Sequence, residues 1–295
     1  MKTARSYISS LIVCILLVFT LIASIGVITA ESFAAKDNLI EITEENNITE
    51  VVRKELERHF AEKYADTGIP ANVYMENISD EYIRMAVYDK IDMGFAVLQG
   101  GNDKKWSGIP ENTALDEALT TYFAEYAESI DYEISDENDP YYSKLANARK
   151  NAKHSIEEYS DVFKFNAIIK HGVLDKARPL YNKLSFIKII CLGASAFLAL
   201  LLLICNFKRF GDSLYWLGTA ALSVAALGGI PCIYLLATNY FSSFTVKQAQ
   251  VYTVYTASMR GFTQNLLIAF AILAGAAVLL YIMYALISRQ SSKKN

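Results

Sequence analysis

Cysteine is absent from the long polar middle of this sequence. The four cysteines of the 295-residue chain, Cys14, Cys191, Cys205 and Cys232, all fall in strongly apolar segments. Small extracellular domains often depend on disulfides, and the polar region has no cysteine with which to form one. It is therefore not a disulfide scaffold. The pattern is more typical of a bacterial cell-envelope protein than of an animal cell-surface protein.

Ionisable residues are nearly absent from the apolar segments, which cover residues 8–30, 187–205, 214–237 and 266–287. These segments contain no Asp, Glu, Arg or His, and Lys188 lies near a segment end, where its amine reaches the membrane surface. Coupled transporters use intramembrane ionisable groups, so the pattern argues against one. Ser195 has no base in these segments, which argues against an intramembrane serine protease.

The apolar segments predict membrane-spanning helices. A helix of roughly 20 residues crosses about 30 Å of hydrocarbon, and the chain is 53% hydrophobic with a mean hydropathy of +0.21. We expect a membrane all-α fold with four transmembrane helices and an extracytoplasmic, mainly helical bundle between the first and second. Residues 1–30 form either an uncleaved anchor, which the long apolar run favours, or a cleaved signal peptide; both export the following domain.

Lysine and arginine residues near the segment ends predict the orientation. The segments expected inside hold seven of them, whereas the outer loop at 238–265 holds two. Because such cations stay on the cytoplasmic side, both termini, including the tail at 288–295, are expected in the cytoplasm. The domain at 36–186 is then outside the plasma membrane, and 187–287 forms a three-helix transmembrane domain.

Helical periodicity recurs through the outer domain. After a predicted linker at 36–46, apolar residues repeat every three or four positions over 49–65, after Ser79, and over 115–130. The predicted helix starts are Ser79, Thr113 with Asp116, and Asp139 with Pro140. The last helix is expected to run for about 30 residues. Residues 71–75 are predicted to be extended.

The stretch at 115–130 has the clearest apolar stripe. Its members are Leu115, Leu119, Tyr122, Phe123, Tyr126 and Ile130. Amphipathic helices bury such stripes most simply against one another, so we expect a helical bundle with this face in its core.

Charge divides the outer domain into two parts. Residues 36–139 contain 9 basic and 25 acidic side chains, a net charge of −16, while 140–186 contain 9 basic and 4 acidic, a net charge of +5. Solvation of exposed helix faces and attraction to anionic lipid headgroups explain most of this pattern. The acidic part is also a candidate docking surface for a cationic ligand.

Five carboxylates crowd together before the last outer helix: Asp131, Glu133, Asp136, Glu137 and Asp139. Calcium prefers such oxygen ligands, but the spacing is not that of an EF-hand loop, which needs glycine at its sixth position. A solvated, helix-capping turn is favoured, with a weak metal site as the alternative. The three histidines, His59, His154 and His171, lack the His-Glu-x-x-His spacing of a zinc site. We expect no cofactor.

Small residues repeat every four positions in two apolar segments. Ala221, Ala225 and Gly229 share one face of the third, and Ala271 and Gly275 share one face of the fourth. Small residues let transmembrane helices pack closely. The sequence leaves open whether the neighbouring helix belongs to this chain or to another membrane protein.

No catalytic motif stands out, so we expect a non-enzymatic protein that does not bind nucleic acid. The leading hypothesis is an accessory or receptor-like subunit of the cell envelope that binds a ligand outside the cytoplasm. A structural or adhesion scaffold is the alternative, and a transporter or enzyme is less favoured. The expected partners are the lipid bilayer and either a membrane protein or a cationic extracytoplasmic ligand.

Overall fold

A computed structural model describes residues 2–101, 108–135, 139–207 and 210–292 of the chain. The protein is 84% helical, and these residues contain no strand. The helices are α1 (Lys2–Phe33), α2 (Lys36–Glu45), α3 (Ile48–Thr67), α4 (Ala71–Met75), α5 (Asp80–Leu98), α6 (Thr113–Ser129), α7 (Pro140–Ser160), α8 (Phe165–Lys170), α9 (Val173–Tyr181), α10 (Leu184–Cys205), α11 (Phe210–Ala237) and α12 (Ala249–Ser292). A short 3₁₀ helix covers Tyr240–Ser243.

Four of these helices are long and apolar enough to cross a membrane. The apolar stretches are Tyr7–Phe33, Leu184–Cys205, Phe210–Ala237 and Ala249–Arg289. The predicted number of helices with the length and apolar composition to span a membrane is therefore confirmed. Four such helices are the architecture of a multi-pass membrane protein.

The chain divides into two compact units. The apolar unit comprises Met1–Ala35, Leu180–Phe244 and Ser258–Asn295, and the polar unit comprises Lys36–Pro179 and Thr245–Ala257. Within the apolar unit, α1 packs against α10 and α11. The hydroxyls of Ser24 and Ser195 lie 3.2 Å apart between α1 and α10. Hydrogen bonds of this kind link helices where no water is available.

Helices α11 and α12 approach closely at a glycine. A Cβ atom added to Gly228 would overlap the ring of Phe270. Only glycine at this position therefore allows the Phe270 ring to pack directly against the α11 backbone. On α11, Ala221, Ala225 and Gly229 are buried. On α12, Ala271 and Gly275 are exposed, and a Cβ at Gly275 would meet no heavy atom within 4 Å. Packing of the Ala271 and Gly275 face stays a prediction.

The core of the polar unit is built from the predicted helical stripes. Val52, Leu56 and Phe60 of α3 are buried, as are Ile83, Val87 and Ile91 of α5. From α6 only the first turns of the stripe reach the core, because Leu115 and Leu119 are buried while Tyr126 and Ile130 are exposed. The prediction that the whole α6 stripe is core is therefore wrong at its C-terminal end.

Three predicted non-helical stretches are helical. The expected linker at 36–46 is mostly α2, whose Ile42 is buried. Residues 71–75 form α4 rather than extended chain, and Pro70 before them has the extended backbone typical of an N-cap position. Residues 249–265, expected as part of a loop, belong to α12.

The long helix expected from Pro140 to about Ile169 ends earlier. Helix α7 stops at Ser160, and Lys164 adopts a left-handed conformation with φ of 56°. The Asp161 carboxylate accepts hydrogen bonds from the backbone N–H groups of Phe165 at 2.7 Å and Asn166 at 2.9 Å, which starts α8. Pro179 lies inside α9.

Candidate ligand-binding site

The C-terminal end of α3 is tied to α6 by one hydrogen bond. Gly68 ends α3 with φ of 72°, a left-handed conformation that glycine adopts without a steric cost. Its carbonyl oxygen then accepts a hydrogen bond of 2.6 Å from the Tyr122 hydroxyl. The bond holds the α3 end, the start of α4 and the middle of α6 around a common space.

That space is a cavity of about 540 Å³ within the polar unit, bordered by α3, α4, α6 and α7. Six aromatic side chains line it: Tyr74, Tyr122, Phe123, Tyr126, Tyr132 and Tyr141. Ligand pockets in proteins typically measure about 300–1,000 Å³ and combine aromatic walls with a few polar groups. By size and lining, this aromatic cavity is the candidate ligand-binding site.

Tyr74 is the most deeply buried of the six. Its side chain is 5% exposed and stacks on Phe60, with ring centroids 4.1 Å apart. Burial, with a smaller contribution from Tyr122, raises the pKa of Tyr74 to about 12, so the phenol stays protonated. Within the described residues its hydroxyl makes no hydrogen bond, and the oxygen is not among the fully buried polar atoms that lack a partner. The hydroxyl is therefore accessible from the cavity, where a ligand or water can bind it.

Tyr122 and Tyr126 lie one helical turn apart on α6. Their rings are nearly parallel, at 16°, with centroids 6.5 Å apart. The Tyr126 side chain is 56% exposed, and Ile130, one turn further on, is also exposed. The end of the α6 stripe therefore forms an open aromatic rim instead of packing into the core.

Helix α7 provides the polar wall of the cavity. Lys144, Asn147 and Asn151 recur at three- and four-residue intervals and are exposed, so they share one face of the helix. Asp66, near the end of α3, also lines the cavity. Its carboxylate lies 3.5 Å from the Lys63 amine. The lining thus contains one carboxylate and one ammonium group.

Asp139 organises the chain beneath Tyr132. Its carboxylate accepts hydrogen bonds from the Tyr132 hydroxyl at 2.8 Å, the Tyr141 N–H at 2.8 Å and the Ser135 N–H at 3.1 Å. Backbone N–H donors, first Tyr141 and then Ser135, lower the pKa of Asp139 to about 2. The prediction that Asp139 is the N-cap of α7 is confirmed.

The other members of the acidic cluster do not join Asp139 in a metal site that the structure describes. Glu133 is exposed and Asp131 has a left-handed backbone with φ of 51°. Asp136 and Glu137 lie outside the described residues. Within the described ranges, no group of three or more His, Cys, Asp or Glu side chains is placed to hold a metal ion.

His59 links α3 to α7. Its Nε2 lies 3.0 Å from the Ser155 hydroxyl and its Nδ1 lies 3.3 Å from the Tyr159 hydroxyl. Burial is the main cause that lowers the pKa of His59. Because the third member of this group, Tyr159, is a phenol and not a carboxylate, the group lacks the orienting acid of a Ser-His-Asp triad.

A second, polar cleft of about 460 Å³ lies between α2, α3 and α5. Four carboxylates border it, and each has a partner within the protein. Glu44 accepts from the Tyr88 hydroxyl at 2.5 Å, and Glu50 pairs with Lys54 at 2.6 Å. Asp80 pairs with Arg53 and Glu81 with Arg84. Three of the four charges already pair with a cation, and Glu44 alone is bound by a neutral phenol, so the cleft is a poorer cation site than its composition suggests.

Sequence reasoning identified the α6 aromatics but missed Tyr74, Asn147 and Asn151. The sequence predicts extended chain at 71–75, which includes Tyr74, and gives no prediction for the two asparagines. The one available signal was the pair of asparagines four residues apart, beside the apolar stripe of α7. Comparison with known proteins adds no further residue, because no protein-family model, curated protein or solved structure matches the chain.

Proposed function

We propose that this protein is an accessory or receptor-like subunit of the cell envelope that binds a ligand outside the cytoplasm. The observation that carries the proposal is the aromatic cavity, because a preformed cavity with aromatic walls and convergent polar groups is the usual form of a ligand site. The proposal assigns no catalytic step to the chain.

The distribution of cations supports the orientation in this proposal. Four helices are apolar enough to span a bilayer, and the Lys and Arg residues concentrate in the segments proposed to be cytoplasmic. In that arrangement the termini are cytoplasmic and the polar unit is extracytoplasmic. The bilayer surrounds the apolar helices, and a membrane-protein subunit would relay ligand binding, since coupling needs a second element with two states.

A docking scaffold for a cationic ligand is the second candidate function. Residues 36–139 have a net charge of −16, and a surface of one sign speeds the association of an oppositely charged partner. Three of the four carboxylates of the polar cleft already pair with Lys or Arg, which weakens this candidate. Its distinguishing property is a steep loss of association rate with added salt, because exposed charges are screened over about 10 Å at 0.1 M.

Protection of an engineered cysteine tests the proposed binding function. Asn151→Cys places a thiol in the cavity lining, whereas Ser143→Cys places one on the same helix outside it. The full-length protein in nanodiscs is treated with a maleimide dye after incubation with neutral trisaccharides, a proline decapeptide or tetramethylammonium. The wild-type chain, whose four cysteines lie in the apolar helices, is the blank.

The account predicts that at least one probe slows labelling at Asn151→Cys and leaves Ser143→Cys unchanged. Equal labelling rates with and without every probe would contradict a ligand-binding role for the cavity. Equal slowing at both positions would indicate non-specific association with the surface.

A further inference from the structure

We propose that the aromatic cavity binds a neutral saccharide. The sugar rings lie against the exposed aromatic rim of α6, and their hydroxyl groups bind the amides of α7 and the phenol of Tyr74. The inference rests on the proposed function, because it names the ligand class of the same cavity.

The charge of the lining favours an uncharged ligand. Asp66 and Lys144 are the ionisable carboxylate and ammonium groups among the lining residues, and Asp66 already lies near Lys63. A cation in the cavity would lose hydration without gaining an unpaired carboxylate, which is unfavourable. A strongly anionic ligand would find a single ammonium group, Lys144, to offset its charge. A neutral ligand avoids both costs.

The polar groups of the cavity match hydroxyl groups. Asn147 and Asn151 each offer an amide donor and an amide acceptor, one helical turn apart. A sugar hydroxyl also donates and accepts, so each amide can satisfy it in both directions. A proline-rich peptide offers carbonyl acceptors but few N–H donors, because proline has none. Such a peptide would leave the acceptor oxygens of both exposed amides to water.

The Tyr74 hydroxyl supplies a polar group from a different wall. The ring is buried, the phenol remains protonated at neutral pH, and the hydroxyl lies at the cavity wall without being one of the fully buried unpartnered atoms. The phenol can therefore donate to a ligand hydroxyl in place of water. Polar groups on two walls fix the orientation of a ligand between them.

The aromatic rim provides flat apolar surfaces. Tyr122 and Tyr126 present nearly parallel rings, and Tyr126 is more than half exposed. The negative face of an aromatic ring attracts weakly positive hydrogens. One face of a sugar ring is a sheet of C–H groups, and its edge carries the hydroxyls. The cavity has the corresponding arrangement, with aromatic rings on α6 and amides on α7.

Isothermal titration calorimetry on the full-length protein in nanodiscs tests the inference. The probes are neutral trisaccharides built from glucose, mannose or N-acetylglucosamine, with a proline decapeptide and tetramethylammonium as the competing ligand classes. Binding is expected for at least one trisaccharide and for neither of the other two probes.

Two variants locate the binding. Tyr126→Ala removes a rim ring and is expected to weaken trisaccharide binding by about five- to tenfold. Tyr142→Ala removes a tyrosine of similar exposure, 47%, which does not line the cavity, and is expected to leave binding unchanged. Tyr74→Phe keeps the stacked ring but removes the hydroxyl, and should weaken binding by about two- to tenfold with no change in thermal midpoint.

The possible results separate the inference from the proposed function. Binding of the proline decapeptide or tetramethylammonium that is lost in Tyr126→Ala, without trisaccharide binding, overturns the saccharide class and leaves the cavity as the binding site. Trisaccharide binding that is insensitive to both Tyr126→Ala and Tyr74→Phe overturns the assignment to this cavity. Absence of binding by all probes overturns the inference. If, in addition, no probe slows dye labelling of Asn151→Cys, the proposed function is overturned as well.

Discussion

A buried lysine links three helices of the polar unit. Lys90 of α5 is 1% exposed, and its amine lies 2.7 Å from a carboxylate oxygen of Glu157 on α7 and 3.4 Å from the amide oxygen of Asn166 on α8. Burial is the main cause that lowers the pKa of Lys90, and Glu157 opposes it. The apolar periodicity of α5 gave no indication of this contact, because a lysine on a helix reads as solvent-exposed.

Removing the carboxylate should destabilise the protein more than removing the whole pair. Glu157→Leu removes the carboxylate that lies 2.7 Å from the buried Lys90 amine, which is expected to cost about 3–5 kcal/mol. Lys90→Met with Glu157→Leu should recover most of this loss, since apolar replacements of buried ion pairs are often neutral. Unfolding of the three proteins by denaturant checks this. Equal stability of Glu157→Leu and wild type would contradict the account.

The Asp139 carboxylate predicts an acid-dependent stability. Its pKa is about 2 in the folded protein, compared with about 3.9 in an unfolded chain. Between these values the unfolded state binds the proton more readily, so stability is lost as the pH falls from about 4 to about 2. Asp139→Asn has no charge to titrate. The thermal midpoint of wild type should therefore fall more steeply over this range than that of Asp139→Asn, and parallel curves would contradict this assignment.

At the scale of elements, helix α6 shows what periodicity can and cannot predict. The stripe correctly predicted a helix and the burial of Leu115 and Leu119. It did not predict that the neighbouring helices leave Tyr126 and Ile130 uncovered, because coverage depends on where α3 and α7 lie. The cavity arises from this difference. Local pattern defines a face, whereas tertiary packing decides how much of it is buried.

Helix boundaries were predictable where a single side chain sets them. Ser79 accepts from the Tyr82 N–H at 3.1 Å and starts α5 as predicted. The predicted start of α6 was one residue late, because Asn112, and not Thr113, accepts from the Leu115 N–H. The end of α7 was missed entirely, since the Asp161 carboxylate caps α8 across a turn that apolar spacing does not reveal.

Aspartate substitutions at two positions of α6 test this division of its stripe. Leu119 is 0% exposed and Tyr126 lies on the rim. Leu119→Asp buries a charge without a partner and is expected to cost several kcal/mol, lowering the thermal midpoint sharply. Tyr126→Asp should change stability little, because the side chain is solvent-exposed. Similar midpoints for the two variants, measured by circular dichroism, would sink the assignment of Leu119 to the core.

At the scale of the whole molecule, composition alone predicted the four apolar helices. The hydrocarbon thickness sets their minimum length, and each of the four stretches exceeds it. Sequence reasoning underestimated α12, whose helix begins at Ala249 and not near Leu266. Its first turns contain Tyr252, Thr253 and Thr256 and lack the continuous apolar run by which membrane helices are recognised.

The distribution of charge predicts where reporters are active. Fusions after Asn295 and in the segment at 206–212, between α10 and the first turn of α11, should report from the cytoplasm, and an insertion near Asn102 should report from outside. The physical reason is that segments rich in Lys and Arg are retained on the cytoplasmic side during insertion. A cytoplasmic reporter at Asn102 would reverse the orientation.

Labelling of Asn151→Cys in intact cells tests the central claim, that the aromatic cavity faces the outside, most directly. A membrane-impermeant maleimide is applied before and after permeabilisation, with the wild-type chain as the blank for its four cysteines in the apolar helices. The account predicts full labelling of Asn151→Cys without permeabilisation. Labelling that appears only after the membrane is opened would place the cavity in the cytoplasm and contradict the account.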